Sequence, residues 1–110
     1  MSLSEDAKNI VNESQYQEKL KAIMMSAEKL LNKAGIEPTE IQWTILINHL
    51  NEMIRRSTEQ EKLPEIDVKL FDEVSEVSLE LAEVIVNEIA NLSVDEKYVL
   101  SIHFETAKNN

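Results

Sequence analysis

The sequence predicts an all-α domain, and three features carry that reading. Apolar residues recur at three- and four-residue steps through most of the chain, helix-start and helix-stop chemistry brackets those runs, and no segment alternates apolar with polar as a half-buried strand does. A chain of 110 residues, 43% of them hydrophobic, can bury one core but not two, so a single domain is expected.

Residues 1–13 are largely polar with no sustained periodicity, and they read as a flexible lead-in to a domain spanning 14–110. The opening Met1-Ser2-Leu3 carries no functional weight. A first helix is signalled by the Ser-x-x-Gln spacing of Ser14 and Gln17, which can satisfy orphan amides reciprocally. Leu20, Ile23, Met24, Ala27, Leu31 and Ala34 then form one apolar face, and Gly35 closes the helix. Pro38 opens a second helix, with Trp43, Leu46, Ile47, Leu50 and Ile54 on its apolar arc and an end near Ser57. Its opposite face, Glu40, Thr44, Asn48, Asn51 and Arg55, reads as a solvated stripe.

Thr58 to Asp67, with Pro64 and several charges, is the expected connecting loop. Asp67 can cap a third helical region that sets Leu70, Phe71, Val74, Val77, Leu81, Ile85 and Ile89 on one side. Whether residues 67–91 make one helix or two is open, since Ser75 and Ser78 alone mark a break only weakly. Ser93 and Glu96 have capping-box spacing and start a last helix that runs to about Ala107.

The 21 acidic against 11 basic residues give a net charge of −10, which repels a phosphate backbone and argues against direct nucleic-acid binding. With no cysteine, disulfides, thiolate metal sites and cysteine nucleophiles are excluded. No apolar run approaches the roughly 18 residues of a membrane span, and no export signal opens the chain, so a cytoplasmic location is expected.

Two residues invite a chemical reading, His49 and His103. On the last helix, Lys97, Ser101, Glu105 and Lys108 form a polar stripe, and His103 projects nearly opposite it, toward the core or an interface. On the second helix, Gln42 and Arg56 lie seven residues to either side of His49, so the three form a polar seam along one edge. Each imidazole can be an ordinary part-buried residue with one satisfied hydrogen bond. Alternatively, one or both are nucleophiles at a shared site, with Arg56 placed to hold an anion. No metal-ligand motif, glycine-rich phosphate loop or hydrolase elbow is present, and no cofactor is expected.

Ile47-Asn48-His49-Leu50 with Arg56 resembles the first signature of the phosphotransferase-system regulation domain. Leu92-Ser93-Val94-Asp95-Glu96, Tyr98, Ile102-His103-Phe104 and Ala107 resemble the second. The likeness extends over about Ser14 to Ala107 and includes the order and separation of the histidines. Many relatives carry Thr-Asp before the first histidine where this chain has Ile47-Asn48, and the family's Tyr-Pro is missing around Ser75 to Ser78.

The resemblance implies a compact bundle of about five helices built from antiparallel helix pairs, often a homodimer, with no enzymatic activity. It implies His49 and His103 as phosphoacceptors for phosphocarrier proteins or sugar-permease subunits, with Arg56, and Gln42 on the same edge, as contacts for phosphate or partner. The chain looks like a stand-alone version that regulates sugar-catabolic genes through protein partners. A constitutive dimerisation or adaptor domain with vestigial histidines is the alternative, and a metal-dependent enzyme the more distant one.

Overall fold

The computed structural model describes all residues from Met1 to Asn110 and contains five α-helices and no strand. Residues Glu5–Glu13 form α1 in place of the expected flexible lead-in. Nine residues are too few to hold a helix alone. Docking supplies the rest: Ala7 and Val11 are buried, and the helix packs on the second long helix of the bundle. Ser4 caps α1 by accepting from the Ala7 amide at 3.0 Å.

The expected Ser14–Gln17 capping box does not form. The Ser14 hydroxyl accepts from the Tyr16 amide, and Gln17 Nε2 donates back to the Val11 carbonyl at 3.1 Å, so the pair closes α1 and turns the chain. The next helix, α2, spans Gln17–Lys33 and buries Leu20, Ile23, Met24, Ala27 and Leu31 as its periodicity requires. It ends at Gly35, whose φ of 72° lets the Ile36 amide reach the Leu31 carbonyl at 2.9 Å, a Schellman closure with Ile36 buried behind it.

Helix α3 spans Glu40–Glu59, two residues past the expected end at Ser57. Its start is set by Thr39 and Gln42, which form the capping box, and Pro38 lies just outside. The stripe expected to face solvent is partly covered by α1. Thr44 shares a 2.6 Å hydrogen bond with Ser4, and Asn51 accepts one of 2.6 Å from Ser14.

The third helical region breaks. Asp67 caps a short 3-10 turn, Val68–Phe71, and Ser75 then caps α4, Glu76–Ile89. Glu105 explains the break, because its carboxylate accepts from the Ser75 amide and from the hydroxyls of both Ser75 and Ser78. The change of frame turns Leu70 and Val77 outward, contrary to the apolar stripe expected there, leaving Leu70 78% exposed. Helix α4 buries Ala82, Ile85, Val86 and Ile89 instead.

Helix α5, Glu96–Lys108, runs beside α4 in the most extensive helix pairing of the fold. Its polar stripe is only partly solvated: Lys108 is exposed, but Ser101 is buried, with its hydroxyl donating to the Tyr98 carbonyl, and Glu105 binds the start of α4. The core runs through all five helices, and no helix is long and apolar enough to cross a membrane.

Between α4 and α5 the backbone is strained. Ala90 sits at φ 68°, ψ 168°, a region that essentially only glycine occupies without cost, and Asn91 follows at φ 55°. Ser57 holds the turn by donating to the Ala90 carbonyl at 2.7 Å, and Lys19 Nζ donates to that of Ile89 at 3.0 Å. Replacing Ala90 with glycine is expected to raise stability by about 1 kcal/mol, as the relieved strain exceeds the added freedom of the unfolded chain. A urea midpoint that stays put or falls would show that the turn is relaxed with alanine in place.

Candidate functional site

The edge of α3 that carries Gln42, His49 and Arg56 faces α5, and α5 with the residues just beyond its end answers with a matching set. Gln42 pairs with Asn110, His49 with His103, and Arg56 with Glu96. Each step of seven residues forward along α3 is a step of seven backward along α5, so the helices run antiparallel and stack three polar pairs in one seam.

At one end, Gln42 Nε2 donates to Asn110 Oδ1 at 2.8 Å, and Asn110 Nδ2 donates to Gln42 Oε1 at 2.8 Å and to the Glu37 carbonyl at 2.9 Å. Gln42 Oε1 also accepts from the Thr39 amide, so its side chain ties the start of α3 to the residue just beyond α5.

At the other end, Arg56 Nε and Nη2 each donate to a different oxygen of Glu96, both at 2.8 Å. Glu96 has no exposed surface, and Arg56 is buried as well. The expected Ser93–Glu96 capping box is therefore absent. Asp95 holds the cap position without a side-chain bond, and the buried Ser93 hydroxyl has no partner. A buried carboxylate gains more from a bidentate guanidinium than from one backbone amide, so the acid at this position turns inward.

Between these ends the imidazoles of His49 and His103 lie 4.8 Å apart, centroid to centroid, tilted by 39°. Neither ring makes a hydrogen bond within the protein, and His49 Nε2 is buried without a partner. Burial, then the neighbouring His103, then the Arg56 charge push the His49 pKa down to about 4, and burial also lowers that of His103. Both rings are consequently neutral at pH 7. The unfolded chain binds more protons than the folded one between about pH 6.5 and pH 4, so the seam is most stable above that window and weakens as pH falls through it. His103 lines a surface cavity of about 180 Å³ together with Gln42, Ile45 and Thr106, and is the more accessible imidazole. No group of three or more histidine and carboxylate side chains is arranged to hold a metal ion.

The seam on α3 was readable from its seven-residue spacing, but Glu96 and Asn110 were not identified as its partners. The signal is present: Glu96, His103 and Asn110 repeat the same spacing along the last helix and just past its end.

Fold and site together define a small helical domain whose two histidines meet on one interhelical seam. No family model matches the chain and no curated protein matches it. Among solved structures, it is similar to the crystal structure of a PRD-containing transcription regulator from Lactobacillus casei ATCC 334. The identity is 41%, over 99% of this chain and 97% of that one, with a TM-score of 0.94. The chain belongs to the phosphotransferase-system regulation domain (PRD) family, and its role is regulatory.

Removing one partner of the buried ion pair strands the other. Arg56→Met or Glu96→Leu alone is expected to cost about 3–5 kcal/mol, whereas the double variant recovers most of that loss. Urea unfolding of the four proteins tests this, and additive losses in the double variant would show that the two residues act independently.

Proposed function

We propose that this chain is a phosphorylation-responsive regulatory domain whose acceptors are His103 and His49. The observation that carries the reading is the facing pair of imidazoles without hydrogen bonds, whose part-burial favours the neutral form, since only an unprotonated ring nitrogen has the lone pair that attacks phosphorus. His103 is the first acceptor, because it borders an open cavity while Nε2 of His49 is sealed. In the transfer, the ring nitrogen forms a bond to the phosphorus of a donor phosphohistidine as the donor's own N–P bond breaks. The electron pair returns to the donor imidazole, and no water is consumed.

The donor is a phosphocarrier protein or a sugar-permease subunit of the phosphotransferase system, encountered in the cytoplasm. The added charge changes how α3 and α5 pack, and through a homodimer or another protein partner it alters sugar-catabolic gene expression. A second reading, a constitutive adaptor, draws support from the exposed Ile41, Ile45 and Ile102, of which Ile45 lines the cavity beside His103.

Incubation with a phosphoenolpyruvate-charged phosphocarrier mixture, read by intact mass at neutral pH, separates the two. The expected result is an added phosphoryl mass that falls in His103→Ala and disappears when His49→Ala is added to it. No transfer from either phosphocarrier or permease subunits would leave the adaptor.

A further inference from the structure

In the unmodified seam the charges cancel: one guanidinium, one carboxylate, two neutral imidazoles and two amides. A phosphoryl group on either ring brings about −1.5 to −2 of charge and three strong acceptor oxygens into that seam. Arg56 is the seam's one cation, and its Nε–Nη2 edge is already spent on Glu96. Arg56 lies close enough to act on the charge of His49, and His103 lies 4.8 Å from that ring, so a phosphoryl group beside His49 and the Glu96 carboxylate compete for one guanidinium in a poorly solvated place, where like charges at close range repel strongly.

Ser57 and Lys19 hold the turn that precedes Glu96, but the start of α5 itself has no side-chain hydrogen bond other than those Glu96 accepts from Arg56. Asp95 makes no capping bond, the Ser93 hydroxyl has no partner, and the preceding Ala90 and Asn91 both have positive φ. The far half of α5 differs, because Glu105 takes three hydrogen bonds from Ser75 and Ser78. Loss of the ion pair therefore frees one end of α5 and leaves the other docked.

We propose that a phosphoryl group on the histidine pair takes Arg56 away from Glu96, so that Glu96 is the residue through which modification loosens the first turn of α5. This rests on the phosphoacceptor reading above and adds its mechanism. A carboxylate without a partner is too costly to keep buried, so Glu96 turns to solvent and the first turn of α5 opens with it. Glu96 acts through Arg56 and is a positioning residue, not an acceptor.

The experiment uses potassium phosphoramidate as the donor, which dispenses with the phosphocarrier: the imidazole nitrogen bonds to phosphorus and ammonia leaves. After intact mass confirms the label, amide hydrogen exchange is compared with and without it. In the native protein the label is expected to speed exchange over residues 92–99 by about tenfold or more, with much less effect over residues 102–108. In Glu96→Gln the label is expected to cause no such acceleration. The Arg56→Met, Glu96→Leu double variant gives the same readout should Glu96→Gln fold poorly.

Unchanged exchange at 92–99 in the labelled native protein, or equal acceleration in Glu96→Gln, would overturn the proposal, as would the absence of label on both rings. Loosening by phosphoramidate label without any transfer from the phosphocarrier would instead overturn the donor assignment and leave the exchange of partners standing.

Discussion

A carboxylate with no exposed surface is tolerable only beside a cation that fills its hydrogen-bonding capacity, and Glu96 meets that condition through Arg56. The pair sits between the C-terminal end of α3 and the first turn of α5, and it fixes their register. A slip by one helical turn would bury both charges alone. With that register set, His49 is brought opposite His103, and Gln42 opposite Asn110. Replacing the ions with apolar side chains of similar size need not destabilise such a fold, so their contribution lies in specifying which residues face each other.

Much of the fold was legible because periodicity and helix-stop chemistry are local. Gly35 and the apolar face of α2 are cases in point: both follow from residues within one helix. The errors share a cause, which is that polar side chains near helix ends had distant partners. Ser14 bonds Asn51, and Glu96 bonds Arg56, so two apparent capping boxes were consumed by contacts 37 and 40 residues away. The short α1 was missed because its helical state depends on docking against α3, not on its own propensity. The Ser75 break was ambiguous until Glu105, thirty residues further on, supplied its partner.

The site was half legible. Spacing placed Gln42, His49 and Arg56 on one edge, and the resemblance joined His49 to His103. What the spacing on α3 alone could not supply was that two of these four residues are already engaged by Asn110 and Glu96, leaving the imidazoles as the seam's unbonded groups. Polar ends surround a polar centre with no bond of its own. A charge placed at that centre acts on both helices at once, which suits a regulatory domain better than a rigid catalytic cleft.

The neutrality of the two imidazoles is the point on which this physical picture turns, and long-range ¹H–¹⁵N NMR of the ring nitrogens between about pH 8 and pH 4 reads it directly. Two neutral rings at pH 7 are expected, with His49 resisting protonation until the pH nears about 4 and His103 titrating below an ordinary histidine. An imidazolium on either ring at pH 7 would contradict the neutral seam.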